Sequence, residues 1–106
     1  MPRNKDLSAY TALVTGASSG IGLEYARQLA AQGANLVMVS IDREDLDREA
    51  KKIVDISGVS VETICMDLAQ PDAANKLYYH CRQKGIQIEI LINNAGIFSF
   101  QEITRT

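Results

Sequence analysis

The stretch of this chain best suited to chemistry is Thr15-Gly16-Ala17-Ser18-Ser19-Gly20-Ile21-Gly22. It follows an apolar run, Ala12-Leu13-Val14, and opens an amphipathic stretch that ends at Gly33. Gly16 lets the chain leave a strand in a conformation closed to residues with a Cβ. Gly20 lets backbone approach an anion closely, and Gly22 falls on the stripe of the helix that faces the sheet, where a missing side chain permits close packing. Backbone N–H groups and the helix dipole then meet negative charge, and Ser18 and Ser19 can add hydroxyl donors. A strand that turns through glycines into a helix is the physical form of a dinucleotide pyrophosphate site.

The elements that must position this turn are legible from periodicity. A strand at about residues 11–15 ends at Gly16. A helix at about 20–32 carries Gly22, Ala26, Leu29, Ala30 and Gly33 on one stripe. A second strand at 35–41 is apolar on both faces through Leu36-Val37-Met38-Val39, as in a buried parallel sheet. A second helix at 43–57 has Leu46, Ala50, Ile53 and Val54 at helical spacing. Its charges, Asp45, Asp47, Arg48, Glu49, Lys51 and Lys52, read as a solvated face. A third strand covers about 60–66. A third helix covers about 71–84, with Ala74, Leu77, Tyr78 and Cys81 inward. A fourth strand at 88–92 runs into Asn93-Asn94-Ala95-Gly96. Strands alternating with helices imply an α/β fold, a Rossmann-type parallel sheet of order 3-2-1-4 with flanking helices. Residues 1–10 read as a polar leader, mobile over the first eight, and 11–106 as a dinucleotide-binding half-domain.

Composition narrows the partners. The chain has 106 residues, is 46% hydrophobic and carries a net charge of −2, which suits one globular domain or part of one. Basic residues are not clustered, which argues against nucleic acid, and no apolar run is long enough to span a bilayer. Cys65 and Cys81 are not closely paired. They read as buried free thiols in a reducing, cytoplasmic setting, with no metal site.

The spacing T-G-x-x-x-G-x-G closely resembles the short-chain dehydrogenase/reductase family. Met66-Asp67-Leu68 resembles that family's acidic residue near the adenine, and Asn93-Asn94-Ala95-Gly96 its N-N-A-G motif. The resemblance covers nearly the whole chain after the leader. It implies that Gly16, Ser18, Gly20, Ile21 and Gly22 hold pyrophosphate or ribose, and that Asp67 and Leu68 frame the adenine. Asn94, Ala95 and Gly96 would support the sheet and pass near the cofactor ribose, although Asn93 and Asn94 equally suit fixing a turn through local bonds.

NAD or NADP is decided at the end of the second strand. There an acid accepts from the ribose 2′-hydroxyl and a base pairs with a 2′-phosphate. In Ser40-Ile41-Asp42-Arg43, Asp42 stands at about the offset expected of an NAD acid. Aligned through Leu46 instead, the acid's place falls to Ser40 and the basic place to Ile41, and Ser40 and Arg43 would accommodate a phosphate. Asp42 also suits capping the second helix. The preference stays open on sequence alone.

The resemblance implies an oxidoreductase that interconverts an alcohol and a carbonyl through a tyrosine, a lysine four positions later and a serine. None of Tyr10, Tyr25, Tyr78 and Tyr79 is followed by lysine at that spacing. The family's catalytic residues follow the N-N-A-G segment, so none is assigned here, and the fold is expected to be truncated before its second half. Tyr78 and Tyr79 read as packing residues and His80 as a surface residue. The implied partners are the dinucleotide and a small alcohol or carbonyl, with a homo-oligomer as a further expectation. A non-catalytic nucleotide-binding or redox-sensing module is the alternative reading.

Overall fold

The computed structural model describes residues 6–94. Ala95, Gly96 and the tail to Thr106, like residues 1–5, lie outside them. Four strands, β1 (Thr11–Thr15), β2 (Asn35–Ser40), β3 (Val61–Cys65) and β4 (Ile90–Ile92), alternate with three helices, α1 (Gly20–Ala31), α2 (Arg43–Ser57) and α3 (Ala73–Gln83). All pairings are parallel and the strand order is β3-β2-β1-β4, as the alternation predicts. The register sets Thr15 beside Val39 and Val14 beside Ile92.

Alternation along the two central strands feeds two cores. Ala12 and Val14 of β1 and Leu36 and Met38 of β2 face Leu23, Ala26 and Ala30 of α1 and Leu46, Ala50 and Ile53 of α2. Leu13, Val37 and Val39 face the other way, onto Leu77 and Cys81 of α3. These strands are therefore apolar on both faces because both faces are covered. At roughly 25 cal/mol per Å² of apolar surface removed from water, this double burial is the main force holding the sheet.

Several boundaries and burials differ from the sequence reading, each for a local reason. The fourth strand begins at Ile90 rather than Ile88, because Glu89 meets Thr11 through its side chain as well as its backbone. The Thr11 N–H donates to Glu89 Oε1 at 2.7 Å. The third helix begins at Ala73, since Ala73 N–H still donates to Gln70 in a turn. Glu49 is not on a solvated face. It is 7% exposed at the seam between α1 and α2, where Arg27 reaches it at 3.3 Å. Val54, expected on the apolar stripe of α2, and Tyr79, read as a packing residue, are exposed. Tyr78 is half-buried and its hydroxyl accepts from Arg82 at 3.0 Å.

Cys65 is likewise exposed rather than buried, at the end of edge strand β3, where its Sγ donates to the Ile41 carbonyl at 3.5 Å. Cys81 is buried as expected. Residues 6–10 are mostly exposed, yet they are tied to the end of α1, with Leu7 N–H donating to the Gln32 carbonyl at 2.7 Å. His80, read as a plain surface residue, is half-buried and shares a 2.8 Å hydrogen bond with Glu62 of β3.

Candidate functional site

In a sheet of this order the chain first walks outward from β1 to β3 and then returns to the other side of β1. Ligands bind beyond the carboxyl ends of the strands at such a switch point. The glycine turn lies there. Gly16 and Gly20 have φ of 60° and 59°, the left-handed region that favours glycine. A Cβ on Gly16 would lie 2.9 Å from the Asn94 side-chain nitrogen. A Cβ on Gly22 would overlap the Gly16 carbonyl and stand 3.0 Å from that same nitrogen. The small residues thus let α1 close onto its own turn and let Asn94 lie against both. Around Gly20 there is open space.

Helix α1 begins without a side-chain cap and has no acidic residue in its first turn. Ser19 occupies the cap position in extended conformation and its hydroxyl makes no capping bond. The amides and dipole at this end therefore face the glycine turn without a built-in anion. Helix α2 is the opposite case. Asp42 accepts from the Asp45 N–H at 3.1 Å, and Glu44 and Asp45 sit in its first turn.

A cleft of about 380 Å³ opens above β1, β2 and β3. Of the expected residues it is lined by Gly16, Ser18, Ser19, Ser40, Asp42, Asp67 and Leu68. Its walls are joined by Ser18 and Ser40, whose hydroxyls lie 2.7 Å apart, and Ser40 Oγ also accepts from the Asp42 N–H at 3.2 Å. Backbone completes the frame, with Ala17 N–H donating to Val39 O at 3.1 Å and Met66 N–H to Ser40 O at 3.0 Å. Asp67 accepts from Ala69 N–H at 2.9 Å and from the Gln70 amide at 3.3 Å, so its carboxylate orders its own loop while lining the cleft.

Other expected residues stand outside the lining. Gly22 is buried under the turn. Ile21 is 68% exposed at the start of α1. Arg43 points to Asp47 at 3.3 Å, one turn along α2. Asn94 stands behind the glycines, and Asn93 accepts from the Thr15 hydroxyl at 3.2 Å, tying the ends of β4 and β1. Asn93 thus joins two strand ends that lie far apart in the chain. Val39, Ile41, Asp45 and Met66 also line the cleft and were not among the candidates. Strand ends point at the cleft whatever their side chain, which is the signal that finds Val39 and Met66. Asp45 was hidden among the charges of α2.

No tyrosine lines this cleft, and no cluster of metal-ligating residues occurs among the described residues. The arrangement can hold a phosphate-bearing, elongated ligand across the strand ends.

Comparison with known proteins agrees with this geometry. Residues 10–106 match the family model described as short chain dehydrogenase. The very-long-chain 3-oxoacyl-CoA reductase of Schizosaccharomyces pombe is 42% identical over 87 residues, covering 82% of this chain and 26% of that protein. The structure of L-sorbose reductase from Gluconobacter frateurii, complexed with NADPH and L-sorbose, superposes with a TM-score of 0.82 at 33% identity, covering 92% of this chain and 37% of that one. A short-chain dehydrogenase from Sphingobium yanoikuyae in complex with NADPH gives 0.74 at 45% identity, covering 82% and 34%. The chain thus spans between a quarter and two fifths of the length of these proteins.

Proposed function

This chain belongs to the short chain dehydrogenase family, and from that premise we propose that it forms the dinucleotide-holding part of an NAD(P)-dependent oxidoreductase that interconverts an alcohol and a carbonyl. The observation that carries this reading is the bare N-terminus of α1 beneath a turn of small residues. It offers amides and a positive dipole end with no side chain competing for them. The open space around Gly20, at the first residue of α1, leaves room for the same group.

In this reading Gly16, Ser18, Ser19, Gly20 and Ile21 hold the pyrophosphate, and Gly22 brings α1 close enough for them to do so. Ser40, Asp42 and Arg43 stand by the adenosine ribose. Asp67 and Leu68 frame the adenine, and Asn94 supports the turn from behind; Ala95 and Gly96, which the resemblance also assigns to the cofactor, lie outside the described residues. The cofactor, when bound, supplies hydride. The role of this chain's residues is to orient it and keep its charged part on the amides. No helix among the described residues is long and apolar enough to cross a membrane. The two free thiols suit a reducing, cytoplasmic compartment.

The test has two steps. Titration with NADH and with NADPH, followed by nucleotide fluorescence, should show saturable binding. The whole protein should then oxidise the bound nucleotide with at least one member of a panel of ketones and aldehydes. Saturable binding with no turnover across the panel would favour a non-catalytic module instead.

A further inference from the structure

Resting on the dinucleotide reading above, we propose that the buried carboxylate of Glu49, through its ion pair with Arg27, sets the register of α1 against α2. It thereby places the two halves of the nucleotide site at the spacing that one ligand must span. In that reading the pyrophosphate lies at the start of α1, and the adenosine lies by the start of α2 and the end of β3. The two helices lie on one face of the sheet and share one core. Their starts, at Gly20 and Arg43, are therefore placed relative to each other by how far one helix slides along the other.

The apolar packing does little to fix that slide. Ala26 and Ala30 of α1 and Ala50 of α2 are small members of the shared core. Alanines make shallow ridges, which let helices approach without locking one against the other. Glu49 supplies the lock. It is the one buried charged side chain among the described residues, 7% exposed. Its Oε1 meets Arg27 of α1 at 3.3 Å, and its Oε2 meets Arg48 and Lys52 of α2, each at 3.6 Å. A directional bond between two helices is satisfied over a narrow range of slide.

A buried ion pair is a poor source of stability, because desolvation offsets most of the attraction, and its best-attested use is to fix a register. The network also reaches the site. Arg48 holds Asp45, which lines the cleft, while Arg27 reaches Glu24 on α1 at 3.9 Å. At a rise of about 1.5 Å per residue, Arg27 and Glu49 both stand about 10 Å behind their helix starts. Neither lines the cleft, so Glu49 acts by positioning.

Titration of the full chain with adenosine, with inorganic pyrophosphate and with whichever of NADH and NADPH binds more tightly tests this, because only the dinucleotide spans both halves. Amide shifts in nuclear magnetic resonance read weak and tight binding alike. The double variant Arg27→Met with Glu49→Met keeps the net charge and fills the seam, and it should unfold in urea at no lower a midpoint than the wild type. Its affinity for the dinucleotide should fall at least about fivefold, while those for adenosine and pyrophosphate each change less than about twofold. Should the double variant not fold, Arg27→Met alone decides by the same comparison, since Glu49 keeps Arg48 and Lys52. Equal losses for the three ligands, or no loss for the dinucleotide, overturn the positioning role and leave the dinucleotide reading standing. Saturable binding of neither NADH nor NADPH by the wild type overturns the dinucleotide reading, and this inference with it.

Discussion

At the scale of single residues, the glycines differ in what they would tolerate. A methyl group on Gly22 meets backbone, the Gly16 carbonyl, which has nowhere to go. Gly22→Ala should therefore cost about 1–3 kcal/mol of stability by overpacking and weaken nucleotide binding at least tenfold by pushing α1 off its turn. Chemical denaturation and nucleotide titration of the same variant check both parts. The cysteines separate in the same way. Burial raises the Cys81 thiol above its ordinary value, with the nearby Glu62 charge adding to the effect. Cys65 is exposed, its Sγ donating to the Ile41 carbonyl at 3.5 Å. Iodoacetamide under native conditions should label Cys65 and spare Cys81, as peptide mass mapping would show. Labelling of Cys81 at a comparable rate would mean that α3 opens readily. The glycine spacing was legible in the sequence because each glycine answers to a backbone constraint. The exposure of Cys65 is not legible in the same way, because the apolar residues around it do not show which side chains at a strand's end stay uncovered.

At the scale of elements, the two helix starts explain why one of them can hold an anion and its neighbour resists one. Helix α1 begins bare and α2 begins capped and acidic. Asp42→Ala should lower stability by about 1 kcal/mol through loss of the cap, while Asp42→Asn should cost little of it. Thermal unfolding of the two variants measures the difference, and equal losses would show that the cap contributes nothing. Helix α2 and the order of the strands could be read directly, since the apolar spacing of Leu46, Ala50 and Ile53 and the two-faced apolarity of β2 are local patterns. Glu49 could not. Its burial depends on α1 lying alongside, a tertiary contact that no periodicity within α2 encodes. The start of β4 was likewise shifted by a side chain, Glu89, taking a place in the ladder.

At the scale of the whole molecule, the outer edge of the sheet is joined to α3 by a charged contact. Glu62 on β3 accepts from His80 at 2.8 Å and forms an ion pair with Lys84 at 3.5 Å. The His80 hydrogen bond, helped by the Lys84 charge, holds the Glu62 carboxyl below its ordinary value near 4.5. A carboxylate depressed in the folded state contributes stability above its unfolded pKa and loses it as pH falls through the folded one. Stability should therefore decline as pH drops below about 4.5, with this partly exposed contact accounting for under about 1 kcal/mol of the loss. His80→Ala should make the decline shallower in urea titrations, and an unchanged slope would place the acid sensitivity elsewhere. Two clefts open at opposite ends of the strands, one at the glycine turn and one of about 430 Å³ lined by Thr11, Ser60 and Gln87 among others. The topology favours the first, because only there do loops leave the carboxyl ends of the strands at a switch point.

The most direct test of that assignment is a nitrogen-15 correlation spectrum of the chain recorded with and without NADH. The account predicts shifts at the amides of Gly16 to Gly22, Ser40 to Asp42 and Met66 to Leu68, with Thr11, Ser60 and Gln87 unmoved. Shifts concentrated at Thr11, Ser60 and Gln87, with the glycine turn silent, would contradict it.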